Sequence, residues 1–203
     1  MTLTHRFVAL ALCCLLPGCA ALSALDDAAD PLDVYELRTP AVQTATRRGN
    51  TELVIEEPNA SGALAVERIM IQPDPLQAQY LPGARWADTA PVMLQTLLVR
   101  SLTETGALGS VGRRPVGTLA DYAVLSELTD FQAEVTNGSD GATVVVRLSF
   151  RIVRERDARV IATRTFSQSE GAADTDTGTI VAAFDRATSR LIAEAVPWIL
   201  SAL

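Results

Sequence analysis

Apolar residues alternate with polar ones most regularly between Ala142 and Ile152, where every second side chain is hydrophobic. This pattern is typical of a strand with one buried face and one solvent-facing face. A long hairpin is predicted here, because a turn at Arg156-Asp157-Ala158 is followed by a second alternating run from Arg159 to Gln168. The run from Asp121 to Val135 alternates less regularly and predicts a further strand that carries a bulge. Together these segments predict an antiparallel sheet covered on one side only.

The first half of the chain predicts shorter strands. They cover Val34–Thr39, Leu53–Ile55 and Leu64–Ile71, each bounded by proline, glycine or asparagine. Between Gln72 and Gly83 the prolines exclude a long helix, because proline removes a backbone donor and clashes with the preceding turn. Tyr80-Leu81 and Arg85-Trp86 are therefore predicted as short extended pieces at the sheet edge.

Two segments carry the wide apolar stripe of an amphipathic helix. The first starts at Asp88 or Thr89 as N-cap, with Pro91 in its first turn, and stops at Gly106. The second runs from Thr179 to Leu203, and Pro197 is expected to bend or end it. Its predicted outward residues are Asp185, Arg186, Arg190 and Glu194. The order of elements predicts one α+β domain, residues 34–203, with two long helices packed on one face of a mostly antiparallel sheet.

The N-terminus has the organisation of an export signal. Arg6 supplies the positive charge, Phe7–Leu16 is an apolar run too short to span a bilayer, and Pro17-Gly18 breaks the helix. Residues 1–18 are therefore predicted as a lipoprotein signal peptide. The acidic segment that follows, residues 19–33, is predicted as a flexible tether with a typical reach of about 20 Å. A calcium site built from its aspartates is the alternative for this segment.

Leu16-Pro17-Gly18-Cys19 resembles the bacterial lipobox, in which the cysteine is lipidated and becomes the first residue of the mature chain. Pro17 departs from the residues usual at its position. Lipidation of Cys19 explains a lone cysteine in an exported chain, since an unpaired thiol is a liability in an oxidising compartment. Ala20 after the cysteine resembles the outer-membrane sorting pattern. The alternative is a plain secretory signal cleaved near Ala20-Ala21.

Composition narrows the chemistry. The chain has a net charge of −7 and 17 basic residues, all of them arginine, so clustered cations for binding nucleic acid are not expected. The one histidine and the three cysteines all lie within the first 19 residues. The mature body then lacks a histidine base, a thiol nucleophile, a lysine and the usual zinc ligands. We therefore predict a non-enzymatic protein without a cofactor or a bound metal.

Three groups of polar residues merit a functional interpretation. Tyr80, Arg85 and Trp86 are residue types that anchor binding surfaces. An equally good interpretation is that Trp86 packs in the core and Arg85 forms an ion pair with a nearby carboxylate. Arg147, Arg151 and Arg164 predict either a partner patch or, preferentially, cross-strand ion pairs with Glu127, Asp130 or Glu134. Acid–base chemistry would have to use the remaining carboxylates, for which surface charge is the favoured interpretation: Glu56, Glu57, Asp174 and Asp176.

The chain resembles the ABC-type transport auxiliary lipoproteins, the DUF330-like group that includes the lipoprotein of the paraquat-inducible operon. The resemblance covers most of the mature chain. Its most specific part is the spacing of Tyr80 and Arg85-Trp86-Ala87 before the first helix. The other matching segments are the lipobox at Cys19, Tyr35-Glu36-Leu37, the block IQPDPLQAQYLPGARWADTAPVMLQTLLVRSL, Asp121–Leu125 and the last helix.

The resemblance implies a periplasm-facing lipoprotein, without catalytic residues, that works beside an ABC permease and ATPase and a mammalian-cell-entry-type substrate-binding protein. It implies an adaptor or docking role in moving lipids or hydrophobic compounds between two membranes. Cys19 would hold the domain at a membrane, most simply the outer one, while Tyr80, Arg85 and Trp86 would meet the transport apparatus. The alternative is a lipoprotein that itself binds a lipid or an outer-membrane polymer in a groove between the helices and the sheet.

Overall fold

The computed structural model describes residues 31–46, 49–114, 120–135 and 140–203. The predicted signal peptide, Cys19 and residues 19–30 of the predicted tether lie outside the described residues, as do positions 47–48, 115–119 and 136–139 in three predicted connections. Residues Val34–Leu203 form one compact unit.

The described residues contain nine strands and two helices that are four turns or longer. In chain order the elements are β1 (Asp33–Tyr35), β2 (Glu52–Ile55), β3 (Asn59–Ala60), β4 (Arg68–Asp74), β5 (Gln77–Trp86), α1 (Ala90–Glu104), β6 (Ser110–Gly112), β7 (Tyr122–Val135), β8 (Ala142–Arg154), β9 (Arg159–Ala172) and α2 (Thr177–Ala202). A short 3-10 turn, Glu155–Asp157, joins β8 to β9.

The sheet is organised around β7. One edge of β7 pairs antiparallel with β8 from Tyr122 to Val135, and β9 continues this meander as the next strand. The other edge is shared by three short parallel partners: β2 near Tyr122, β3 near Glu127 and β4 near Ala133. β5 and β1 extend the sheet beyond β4, and β6 extends it beyond β2. The long pairings are all antiparallel, so the sheet is mixed but mostly antiparallel, as predicted.

The two helices cover the same face of this sheet. The six alternate apolar residues of β8, from Ala142 to Ile152, are all buried, and they share one core with the buried stripes of α1 and α2. The residues between them on β8 point to the opposite, open face and are partly or fully exposed. The predicted fold class is therefore confirmed, and so is the bulge in β7, which falls between Leu128 and Asp130.

Three aromatic rings meet where β5, β7 and α2 come together. Trp86 lies 5.7 Å from Phe131 and 5.3 Å from Phe184 between ring centroids, and Phe131 lies 4.7 Å from Phe184. All three side chains are almost completely buried. Tilted and edge-on pairs at these distances add to the free energy gained by burying the rings. This aromatic cluster joins the end of β5 to the centre of the sheet and to the C-terminal helix.

The proline-rich stretch between Gln72 and Gly83 is a hairpin rather than a set of short pieces. β4 and β5 pair antiparallel around a turn at Pro75-Leu76. The register places Arg68 opposite Arg85 but Met70 opposite Tyr80, so the residues from Leu81 to Ala84 form a wide bulge. Pro82, which has no N–H to donate, lies in that bulge, and Gly83 there takes the positive φ of 67° that favours glycine.

Two predicted strands have other bounds in the structure. The first is shorter than Val34–Thr39 and ends at Tyr35. The strand predicted to open at Leu64 begins at Arg68 instead, because the N–H groups of Leu64 and Ala65 donate to the Ser61 carbonyl and close a turn. Leu64 is nevertheless buried, so its apolar character belongs to a core-packed loop.

The helix termini follow the sequence signals in most respects. α1 has Thr89 as its N-cap residue, proline in its first turn and Gly106 with φ of 65° just after its end. α2 starts two residues earlier than predicted and continues through Pro197 to Ala202. Proline removes one hydrogen bond of the helix, but buried Val196 and Ile199 on either side hold the last turns against the core.

Asp185 is buried rather than outward-facing as predicted, with a relative exposure of 8%. Its carboxylate accepts hydrogen bonds from the backbone N–H of Arg38, at 2.9 Å, and from the guanidinium of the same residue. This contact joins the segment after β1 to α2. Burial of a carboxylate requires such pairing, because an unpaired buried charge is strongly destabilising.

We expect Phe184→Ala to lower the free energy of unfolding by about 3–5 kcal/mol, because it opens a cavity inside the aromatic cluster. Leu76→Ala is the control, since Leu76 is 97% exposed at the hairpin turn and its truncation should change stability by less than about 0.5 kcal/mol. Urea unfolding followed by circular dichroism measures both. Equal effects of the two substitutions would contradict this description of the core.

Candidate functional site

The structure brings Tyr80 and Arg85 together on the β4–β5 hairpin. The Tyr80 hydroxyl donates to the Ala63 carbonyl at 3.2 Å. Nη1 of Arg85 lies 2.8 Å from a carboxylate oxygen of Glu67 and 3.1 Å from the Trp86 carbonyl. The ion pair that the sequence offered as an alternative for Arg85 is thus present, and both side chains remain partly exposed.

Arg68 joins these residues, and the sequence analysis did not identify it. Its guanidinium carbon lies 5.4 Å above the centre of the Tyr80 ring, within range for a cation–π contact. Arg68 and Arg85 are directly opposite on the two strands, and the Glu67 carboxylate neutralises the charge of Arg85. We call the four residues Glu67, Arg68, Tyr80 and Arg85 the hairpin surface. It carries a net positive charge on a chain whose net charge is −7.

Trp86 supports this surface from below instead of belonging to it. Its side chain is 1% exposed and packs in the aromatic cluster, so the core interpretation offered by the sequence is the one found. Its backbone N–H donates to the Glu67 carbonyl at 2.7 Å, and the next N–H, of Ala87, donates to Tyr35 at 2.8 Å. A partner could contact Tyr80 and Arg85 directly, whereas Trp86 could act only by fixing the strand that presents them.

Leu76 marks the tip of the same hairpin. Its side chain is 97% exposed, the largest exposure among the large hydrophobic residues in the described segments. The Asp74 carboxylate accepts a hydrogen bond from the Leu76 N–H at 3.0 Å and stabilises the turn. The Asp-Pro-Leu sequence in the midst of a strand pair is the signal that could have predicted a hairpin tip here.

A groove of about 350 Å³ opens beside the end of β5 and along α1. Arg100 and Arg113 line it, and Arg100 faces Glu36 at 3.6 Å. Arg113 donates to the side chains of Gln95 and Thr96, and buried Gln95 in turn donates to the Ile55 carbonyl at 2.8 Å. The guanidinium of Arg113 is therefore held by neutral acceptors on the wall of a mixed polar and apolar groove.

A second groove, of about 510 Å³, has no charged residue in its lining. It lies between the irregular segment 41–45 and the C-terminal half of α2. Ala193, Val196, Pro197 and Leu200 form the helical wall. We call it the uncharged groove. It differs in place from the helix–sheet groove expected from the sequence, because one wall is an irregular segment rather than a strand.

The open face of the sheet carries cross-strand pairs. Arg147 on β8 lies 3.1 Å from the Asp130 carboxylate on β7, which is one of the ion pairs favoured by the sequence. Ser149 and Thr165 share a hydrogen bond of 2.8 Å between their hydroxyls. Arg164 lies on the opposite face, because it pairs with Phe150 in register, and its guanidinium covers the Phe166 ring at 4.6 Å. The expectation that Arg164 adjoins Arg147 and Arg151 was wrong.

Two of the four carboxylates that could supply acid–base chemistry, Glu56 and Asp174, hold structural contacts. Glu56 and Glu155 both pair with Arg114, and Asp174 accepts a hydrogen bond from the N–H of Asp176 at the start of α2. The hydrogen bond from Arg114 holds the pKa of Glu155 below its usual range, with a further contribution from the Ala120 N–H.

The described residues also bear on metal binding and membrane insertion. Within those segments, three or more acidic, histidine or cysteine side chains nowhere come together in a group that could hold a metal ion. Neither α1 nor α2 has the length and apolar character needed to cross a bilayer.

Comparison with known proteins identifies relatives over most of this fold. A family model described as "ABC-type transport auxiliary lipoprotein component" matches residues 35–196. The crystal structure of protein XCC0632 from Xanthomonas campestris is similar with a TM-score of 0.76 and 26% sequence identity, covering 83% of this chain and 95% of the other.

A curated relative is considerably longer than this chain. The uncharacterised protein bll6063 of Bradyrhizobium diazoefficiens is 31% identical over 174 residues, which cover 83% of this chain and 45% of the relative. The chain thus spans about half the length of that protein. A second crystal structure, of a protein without a described function, covers 83% of this chain with a TM-score of 0.64 and 17% identity, a likeness of fold alone.

The Arg114–Glu155 contact gives a pH prediction. A carboxylate whose pKa is lowered in the folded state stabilises the protein above its unfolded pKa, about 4.3 for glutamate, and that stabilisation is lost as the pH falls through the folded value. Glu155→Gln should therefore destabilise the protein at pH 7 and much less at pH 3. Exposed Glu127→Gln is the control, and urea unfolding at both pH values is the measurement. An equal loss for Glu155→Gln at both pH values would contradict the assignment.

Proposed function

Because the chain belongs to the family of ABC-type transport auxiliary lipoprotein components, we propose that it is a membrane-anchored adaptor of an ABC-type transport system. The family match over residues 35–196 is the observation that carries this proposal. The role fits the chemistry of the described surface, where Glu56 and Asp174 are engaged in an ion pair and a turn. An adaptor needs a fixed binding surface and an anchor, and it needs no reacting group.

The anchor is proposed at Cys19. Lipidation there would attach the folded domain to a membrane through the acidic tether of residues 19–33, since several acyl chains on one residue are enough for stable anchoring. The export signal would direct the domain to the periplasmic side of a bacterial envelope. Ala20 after the cysteine supports an outer-membrane location. A tether with a reach of about 20 Å would let the domain contact machinery that spans the periplasm.

The hairpin surface is the proposed docking site for that machinery. Tyrosine and arginine are enriched among the residues that dominate binding energy, and Tyr80 and Arg85 have both contact area and donors. The Trp86 ring beneath them holds β5 in one position, so little entropy would be lost on binding. The proposed partners are an ABC permease with its ATPase and a mammalian-cell-entry-type substrate-binding protein, which would together move a lipid or another hydrophobic compound between membranes.

We expect the paired change Tyr80→Ala and Arg85→Ala to reduce recovery of the transporter components at least about tenfold when the full chain is purified from envelopes in mild detergent. Arg147→Ala is the matched control, because it also removes an arginine in a surface ion pair, on the open face of the sheet. Unfolding curves establish that both variants fold. Full recovery of the partners with the paired variant would remove the hairpin surface from the proposal.

A second function is favoured by one observation, the uncharged groove. Its volume of about 510 Å³ lies in the range of small-molecule sites, and its lining, apolar except for Gln43, Thr44 and Thr105, suits an acyl chain. In this alternative the protein is itself a carrier of a lipid or of part of an outer-membrane polymer. The adaptor and the carrier differ in whether lipid is bound by the isolated protein.

If the protein is a carrier, Ala193→Trp should fill the groove and reduce co-purified lipid to less than about a fifth of the parent value. Ala182→Trp places the same side chain on an exposed position of α2 outside the groove and should leave the lipid content unchanged. Lipid per protein is measured by mass spectrometry after delipidation. Equal lipid contents for parent, variant and control would contradict a role for this groove.

A further inference from the structure

The groove along α1 combines apolar side chains with an arginine. Leu37, Val92, Met93 and Leu97 supply its apolar lining, and Arg113 lines it as well. We call it the α1 groove. It shares no lining residue with the hairpin surface or with the uncharged groove. Its volume of about 350 Å³ lies at the lower end of the range of small-molecule sites.

The Arg113 guanidinium is fixed by two neutral acceptors. Its Nε donates to Oε1 of Gln95 at 2.8 Å, and its Nη2 donates to the Thr96 hydroxyl. Both acceptors are themselves held, because buried Gln95 donates to the Ile55 carbonyl at 2.8 Å. The Thr96 hydroxyl donates to the Val92 carbonyl, also at 2.8 Å. The arginine is therefore in position before a ligand arrives, which reduces the entropy lost on binding.

The carboxylates that line the α1 groove have other contacts. Glu36 faces Arg100 at 3.6 Å. Asp88 accepts the next backbone N–H at 2.8 Å, just before α1, where the positive end of the helix dipole favours a negative charge. Among the described residues, no carboxylate lies within ion-pair distance of Arg113, and its guanidinium contacts are the neutral ones on Gln95 and Thr96. Arg113 is thus the cation of this groove that remains to be matched by an anion.

We propose that the α1 groove binds an amphipathic anion, with its carboxylate or phosphate on the Arg113 guanidinium and its hydrocarbon chain against Val92, Met93 and Leu97. The edge of the guanidinium formed by Nε and Nη2 is occupied by the neutral acceptors. The end formed by Nη1 and Nη2 still has N–H donors for two paired oxygens, the arrangement in which arginine binds carboxylate and phosphate most strongly. Burial of the chain against the apolar lining adds a hydrophobic contribution.

The requirement for a negative charge is tested by calorimetric titration of the full chain in a nonionic detergent, with protein-free micelles as the blank. Octanoate and octyl phosphate should bind at least about tenfold more tightly than octanol, which has the same chain without the charge. The anion that binds more tightly identifies the headgroup as a carboxylate or a phosphate. Equal affinities for all three probes would overturn the proposal.

The role of Arg113 is tested by substitution. Arg113→Gln should lower the affinity for both anions about tenfold or more. Arg164→Gln is the matched control, because Arg164 is an exposed arginine on β9 that covers the Phe166 ring and has no carboxylate partner among the described residues. Unfolding curves establish that both variants fold. Equal anion affinities for the two variants would contradict the assignment of Arg113.

The position of the chain is tested by filling the groove while Arg113 is kept. Val92→Trp should reduce octanoate affinity about tenfold, because the indole would occupy the space of the chain. Val99→Trp is the matched control, since Val99 is a partly buried valine of α1 outside the groove lining. Ala193→Trp, in the uncharged groove, should leave octanoate affinity unchanged. Loss of binding with Ala193→Trp and not with Val92→Trp would overturn the proposal. None of these outcomes bears on the hairpin surface or on the adaptor role.

Discussion

The aromatic cluster of Trp86, Phe131 and Phe184 is the contact on which the arrangement of this domain depends. The three rings come from the end of β5, the middle of β7 and the first turns of α2, which are far apart in the sequence. Because aromatic residues make up only 5% of the chain, few other side chains can fill the space where these elements meet. The position of the β4–β5 hairpin relative to the sheet and to α2 is set here.

The aromatic cluster fixes the position of the hairpin surface. Tyr80 and Arg85 lie on the strand that ends in Trp86, and the backbone of Trp86 is bonded to Glu67 on the facing side of the hairpin. An adaptor benefits from such an arrangement, because side chains already held in place lose little freedom when a partner binds. The uncharged groove has a less regular wall at Ala41–Ala45, anchored to the end of α1 by the bond from Ala45 N–H to the Thr105 carbonyl.

Sequence periodicity predicted the long elements and not the irregular ones, for a physical reason. The alternation in β8 and the stripes of α1 and α2 each reflect burial of one face, which any sequence reading can detect. The hairpin at Pro75-Leu76 was missed because prolines normally interrupt strands, and here a bulge at Pro82-Gly83 accommodates one of them. Asp185 was predicted as exposed because charged residues usually face solvent. Its partner Arg38 lies 147 positions away in the sequence, so the pairing that allows burial could not be read from the helix itself. Likewise, Tyr80 and Arg85 were predicted from their residue types. Arg68 could be recognised only from the structure, where it lies opposite Arg85 and above the Tyr80 ring.

The measurement that tests the central claim most directly is extraction of the full-length protein from native envelopes in mild detergent, followed by mass spectrometry of its proteins and lipids. The adaptor account predicts an ABC permease, its ATPase and a mammalian-cell-entry-type protein in fixed ratios, with lipid well below one molecule per copy of this chain. Stoichiometric lipid on a protein recovered without these partners would contradict that account. It would instead identify the uncharged groove as the functional site.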